Sequence, residues 1–152
     1  ERYLKTPSDA RDLITVAMAG RAAEQQEYGE ASSGISSDLA AATTIASQLV
    51  GQLGDGPGLL SLEAASMPTA ANLVAKVLSD EPSREAAEAI VADGAERAAR
   101  MTETYRDALL RIADALCERD ELEGAEISAI VADYADITER RGPVRIAPSS
   151  AT

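Results

Sequence analysis

Apolar positions along this chain recur three and four apart, and nowhere does a strict apolar/polar alternation run between turn signals. That pattern predicts consecutive helices and no strand. Pro7-Ser8-Asp9 opens the first helix, in which Leu13, Val16, Ala17 and Gly20 fall at helical spacing, and Gly29 ends it. The small-residue stretch Ala31 to Ser36 reads as a loop. A second helix is expected from Ser36 or Ser37 to about residue 53, with Asp38 in its first turn and a stripe at Leu39, Ala42, Ile45, Ala46, Leu49, Val50 and Leu53. Gly54 to Gly58 is rich in breakers and reads as a turn, and Leu59 to Met67 has no clear pattern. A short helix is expected from near Pro68 to near Ser79.

The longest pattern follows. From a cap at Ser83 to about Arg119 no breaker interrupts a face made by Ala87, Ile90, Val91, Gly94, Ala98, Met101, Tyr105, Leu109, Ile112 and Leu116. One continuous helix there would be about 55 Å long at about 1.5 Å per residue, the spine of an all-α domain. Asp93 with Arg97, Glu96 with Arg100 and Asp107 with Arg111 are acid-before-base pairs four apart, suited to bridging along that helix. Gly124 opens a last short helix through Ile127, Ile130 and Val131. The domain is expected to occupy residues 1–141, with 142–152 a flexible tail.

Composition sharpens this picture. The chain has 152 residues, enough to bury a core, but no Phe, no Trp and only four Tyr. Its interior must be built from Ala, Leu, Ile and Val. The net charge of −12 excludes a nucleic-acid partner, because a phosphate backbone is bound by clustered Lys and Arg, and it repels an anionic membrane. The single cysteine, Cys117, allows no internal disulfide and points to a reducing, cytoplasmic compartment. Beside Glu118 and Asp120 it reads as an unreactive core or boundary residue. No signal peptide or apolar span of bilayer length is present. The chain opens on Glu1 and not on Met, so it is expected to continue upstream, where a membrane anchor would have to lie.

Candidate chemistry is sparse. With no histidine, nucleophilic catalysis on a histidine base is excluded. The glycine-rich Gly54-Asp55-Gly56-Pro57-Gly58 lacks the Lys-Ser/Thr of a phosphate loop. By residue type, Asp38 is a helix-start acid facing the positive end of its own helix, and Glu24 is a surface carboxylate.

The order of motifs adds what spacing does not. Gly20-Arg21-Ala22-Ala23-Glu24, then Gly29-Glu30, then Gly34, Asp38-Leu39, Ala42-Thr43 and Ala46 resemble the peptidase domain of the FtsH-type ATP-dependent zinc metalloproteases. That family carries Gly-Arg-Ala-Ala-Glu-Glu, a Gly-Glu pair and Thr-Gly-Ala-Ser-Asn-Asp-Leu in the same order. Ser33, Ile35, Ser37 and Gln25 stand where it has Thr, Ala, Asn and the second Glu. Tyr105-Arg106-Asp107-Ala108-Leu109 through Leu122-Glu123-Gly124-Ala125-Glu126-Ile127 is similar to its long helix and Leu-Asp-Gly-Glu-Glu-Ile turn.

The resemblance implies an all-α peptidase-like fold. It also implies a zinc held by two histidines of an H-E-x-x-H helix and a later aspartate, the position of Asp38. Glu24 matches a glutamate beside that site, expected to orient a ligand. Lacking the histidine pair, this chain alone is expected to be inactive and to bind no zinc firmly. The parent is expected to carry an upstream AAA+ ATPase module, to form hexamers and to degrade unfolded or membrane proteins. Two alternatives stand beside this: a degenerate, non-catalytic relative kept for oligomeric assembly, and an unrelated all-α adaptor.

Overall fold

The computed structural model describes residues 6–63 and 72–141, with side chains as far as Tyr134. Every regular element among them is helical. The expected all-α class therefore holds. The helices are α1 (Pro7–Tyr28), α2 (Ser36–Gly51), α3 (Leu73–Ser79), α4 (Glu81–Thr104), α5 (Arg106–Arg119) and α6 (Gly124–Arg141), with a single 3-10 turn at Ser33–Ile35. The chain divides into two compact units, residues 1–100 and 101–152.

Local chemistry sets most of the helix ends. Thr6 Oγ1 accepts from the Asp9 amide at 3.2 Å, and Asp9 Oδ2 accepts from the Thr6 amide at 2.9 Å. This reciprocal pair satisfies two amides at the start of α1, where Pro7 has no N–H to satisfy. Gly29 closes α1 at φ 79°, a left-handed conformation that costs glycine nothing. Asn72 Oδ1 accepts from the Val74 amide at 2.9 Å and starts α3. The expected start near Pro68 lies outside the described residues, and the end at Ser79 is as predicted. The expected tail at 142–152 also lies outside them.

The sequence reading placed the cap of α4 at Ser83, and this is corrected. Asp80 Oδ2 accepts from the Ser83 amide at 3.2 Å and from its hydroxyl at 2.6 Å, while Asp80 O accepts from the Arg84 amide. The cap thus lies three residues earlier, and Pro82 fits because the first turn needs no amide bond from it.

In the first unit, α1, α2, α3 and α4 close around Ile14, Leu49 and Val77, each fully buried, with Ala42, Ala46, Ala87 and Ile90 filling between them. The period predicted for α1 is right but its phase is not. Val16 is 71% exposed and Leu13 is 42% exposed, while Ile14 and Met18 carry the contact. The α2 stripe is buried at Ala42, Ala46, Leu49 and Val50 and partly buried at Ile45, while Leu39 is exposed and so is Leu53, which lies beyond the helix end at Gly51.

Small residues set how closely the helices approach. A Cβ on Gly94 would lie 2.5 Å from Ile14 Cγ2, and one on Gly51 would lie 2.7 Å from Leu73 Cδ1. Arg97 does not bridge to Asp93 along α4 as expected. It reaches Asp12 on α1 at 2.6 Å, because α4 lies against α1 there. Glu96 and Arg100 do pair, at 2.9 Å.

The predicted 37-residue spine is also corrected. Its backbone leaves helical geometry at Tyr105, with φ −104° and ψ 22°, which separates α4 from α5. The Tyr105 amide still donates to Met101 O, and Tyr105 O still accepts from the Leu109 amide. α4, at 24 residues, remains the longest element. Met101 and Leu116, placed on the buried face by spacing, are exposed, and so is Cys117, which is neither core nor boundary.

In the second unit α5 packs against α6. α6 has 18 residues and is not the short helix expected. Asp120 ends α5 in the left-handed region at φ 62°. Glu126 then clasps the turn: it accepts from the Glu123 amide at 2.9 Å and from Arg119 Nη2 at 2.8 Å. The hydrogen bond from the Glu123 amide, followed by that from Arg119, holds the Glu126 carboxyl below its ordinary pKa.

Two outcomes follow from this packing. Gly94→Ala gains helix propensity but forces a methyl into Ile14, and is expected to lower stability by about 1 kcal/mol in urea unfolding. Gly20→Ala, whose Cβ would lie 3.8 Å from Asp38 Oδ2, should raise it by about 0.5–1 kcal/mol. At the turn before α6, the folded-state pKa of Glu126 is the lowered one. The clasp therefore stabilises above the ordinary carboxyl range and is lost as pH falls through the lowered value. Glu126→Gln should speed amide exchange at Glu123 near neutral pH, and the difference should vanish in acid. A difference that persisted at low pH would assign the effect to something other than the carboxylate.

Candidate functional site

The two acids singled out by sequence lie along one side of α1. Gly20 and Glu24 are one turn apart and so share a face of that helix. Above Gly20 stands Asp38, whose Oδ2 lies 3.8 Å from the position a Cβ would take. Asp38 is the third residue of α2, where the unpaired amides of the first turn favour a negative charge. No side chain caps α2: Ile35 is in the cap position and offers no hydrogen bond. Asp38 is exposed and has no hydrogen-bond partner among the described residues. Its carboxylate is therefore free to accept from an amide or to bind a cation.

Glu24 is engaged elsewhere. Its Oε2 accepts from the Ser32 amide at 2.5 Å and its Oε1 from the Ser32 hydroxyl at 3.2 Å. Ser32 Oγ in turn accepts from the Gly34 amide at 3.3 Å, which starts the 3-10 turn leading into α2. Gln25 Nε2 also donates to Gly29 O, pinning the other end of the loop. Glu24 thus holds the segment that delivers Asp38, and its partner is Ser32, not Asp38. Sequence reasoning passed over Ser32. The signal was a serine two residues before a glycine, able to cap a tight turn.

The glycine-rich segment is a turn, as expected. Arg11 on α1 holds it through Asp55 at 2.9 Å, and the Asp55 amide donates to Leu49 O.

A zinc ion needs three or four converging ligands. Among the described residues no three His, Cys, Asp or Glu side chains come together, and the chain has no histidine. The described residues therefore bring no complete set of zinc ligands together. Asp38 could supply one ligand to a site completed from elsewhere.

Comparison with known proteins identifies the family. The model of peptidase family M41 matches residues 1–130, and the chain belongs to that family. It is 42% identical over 137 residues to ATP-dependent zinc metalloprotease FtsH 1 of Symbiobacterium thermophilum, covering 86% of this chain and 21% of that protein. It is 31% identical over 144 residues to ATP-dependent zinc metalloprotease FtsH of Kosmotoga olearia, covering 86% and 22%. The chain thus spans about a fifth of the length of these relatives. Among the described residues no helix is long and apolar enough to cross a membrane.

The clasp can be tested without any metal. Glu24→Ala removes both acceptors from Ser32 and is expected to raise amide exchange at Ser32 and Gly34 by about tenfold or more, the scale of a lost hydrogen bond to a charged group. Glu24→Gln keeps an acceptor oxygen and should do less. Equal exchange in all three proteins would mean that the loop is held without Glu24.

Proposed function

We propose that this chain, over residues 1–141, is part of the peptidase domain of an ATP-dependent zinc metalloendopeptidase. The match of residues 1–130 to peptidase family M41 carries this reading. The names of the relatives, each an ATP-dependent zinc metalloprotease, support its chemistry. In the complete polypeptide Asp38 donates one carboxylate ligand to zinc, and the other ligands come from outside this chain. Glu24 acts through Ser32 and the 3-10 turn, fixing where α2 begins and so where Asp38 stands. An AAA+ ATPase module in the same polypeptide delivers unfolded or membrane-extracted proteins, and hexameric assembly brings the modules together. A membrane anchor, where there is one, belongs to that longer polypeptide. A surface charge of −12 supports a protein partner and not a nucleic acid.

The exposed position of Asp38 fits this reading. A carboxylate kept only to start a helix would gain as much by accepting from the first-turn amides, and no such bond is formed.

The decisive experiment uses the polypeptide extended upstream as its gene encodes it. It should contain zinc by elemental analysis and degrade casein only with ATP. This chain alone should do neither. In the longer protein Asp38→Asn should lose zinc and cleavage together, because an amide is a much poorer zinc ligand. Glu24→Gln should weaken both by about 10- to 100-fold. A longer protein with neither zinc nor cleavage, yet still assembling into rings, would establish the degenerate assembly module instead. Unchanged zinc in Asp38→Asn would return Asp38 to the role of a helix-start acid.

A further inference from the structure

Asp38 stands about one turn beyond the part of α2 that packing holds. Residues 36–41 are all exposed, and the first buried residue of the helix is Ala42. Nor does a cap fix the helix start, because Ile35 offers no side-chain bond there. The place of the Asp38 carboxylate therefore depends on the path by which the chain leaves α1 and enters α2. That path turns at Gly29, with φ 79° and ψ −10°. A glycine has no Cβ to restrict ψ, so a neighbour has to hold it.

Gln25 is that neighbour. The Gly29 amide donates to Gln25 O at 3.1 Å, and Gln25 Nε2 donates to Gly29 O, so one residue satisfies both backbone groups of the glycine. The second bond orients the Gly29 carbonyl and with it ψ, the torsion that aims the chain from Glu30 onward. Beyond it the path is locked in steps. Glu24 accepts from the Ser32 amide and hydroxyl, the Ile35 amide donates to Ser32 O at 3.4 Å, and the Ser36 amide donates to Ser33 O. The bond to Gly29 O needs a donor, and the last turn of α1 has no Lys or Arg to supply one. The glutamate that stands at position 25 in the motif this sequence resembles could only accept as a carboxylate. A neutral amide also suits the negative end of a helix better than a carboxylate does.

We propose that Gln25 is a positioning residue for Asp38. Its bond to the Gly29 carbonyl fixes the exit of the chain from α1, and so the direction in which the first turn of α2 presents the carboxylate. The proposal rests on the reading above that Asp38 is a metal ligand in the longer polypeptide, and adds to it a residue that acts through the backbone. Glu24 and Gln25, adjacent on α1, thereby hold the two ends of residues 29–32.

The test removes the donor and then returns it. Gln25→Met keeps the length and helix propensity of the side chain without its donor. In the isolated chain it should speed amide exchange at Ser32 and Gly34 by about three- to tenfold, the scale of one neutral hydrogen bond. It should also lower the N–H order parameters of Ser37, Asp38 and Leu39. Exchange at Leu49 and Ile90, in the core, should not change. Gln25→Lys, which brings a donor back to the same carbonyl, should restore the loop. In the longer polypeptide Gln25→Met should weaken zinc binding, measured against a competing chelator, by a similar factor, and Gln25→Lys should not. Unchanged order at Asp38 in Gln25→Met, equal acceleration at Leu49 and Ile90, or no rescue by Gln25→Lys would each overturn the proposal. The two readings fail separately. A loosened Asp38 in the isolated Gln25→Met chain, with a longer wild-type protein that holds no zinc, would leave the positioning role standing while the metalloprotease reading fell. Zinc lost in Asp38→Asn but unchanged in Gln25→Met would do the reverse.

Discussion

The approach of α4 to α1 at Gly94 is the contact on which the first unit depends. A chain without Phe or Trp cannot close its core by spanning wide gaps with large rings. It must bring backbones together where side chains are small, and Gly94 over Ile14 is the tightest such place. Ile14 is fully buried and branched at Cβ, so it cannot turn aside to make room. Gly51 under Leu73 repeats the device between α2 and α3. The energy of this core comes from many methyl-sized contacts, each small, and depends on fit at native density.

Fixing α1 against α4 also fixes the site. α1 carries, on one face, Gly20 beneath Asp38 and Glu24 on Ser32. The loop between α1 and α2 is short and polar, with no apolar side chain of its own deeply buried to anchor it. Hydrogen bonds do that work instead, from Gln25 to the carbonyl at Gly29 and from Ser32 to Glu24. Loops held by polar contacts are the first to open locally. The precision of Asp38 therefore rests on a rigid helix beneath it and a few charged hydrogen bonds beside it.

The sequence made helix existence legible, and several helix ends as well. Pro7, Gly29 and Gly124 act on the backbone directly, by fixing φ, permitting positive φ or marking a first turn, so they read correctly without tertiary context. Three features were not legible, for related reasons. The phase of α1 was misread because apolar residues occur on several sides of an alanine-rich helix, and only packing decides that Ile14 and Met18 go inward while Val16 does not. The break at Tyr105 has no glycine or proline to announce it, and the apolar period continues across it. The cap at Asp80 was hidden because Ser83 is an equally good capping residue by type, and only the hydrogen bonds show which one caps. At the site, periodicity promoted neither Asp38 nor Glu24 above an ordinary surface acid. The order of motifs did, and it could not reveal that Glu24 would act on Ser32.

The arginines complete the account of the charge. Exposed ion pairs contribute little stability, about 0–1 kcal/mol each. Their placement still matters where the core leaves freedom. Arg11 ties the glycine-rich turn to α1 through Asp55, and Arg97 ties α4 to α1 through Asp12. Arg119 reaches Glu126 at the start of α6. These three arginines act between elements, where each favours one register among packings that small apolar side chains would otherwise tolerate about equally. Specificity that larger proteins obtain from interlocking aromatic rings is here distributed between glycine contacts inside and arginine contacts at the rim.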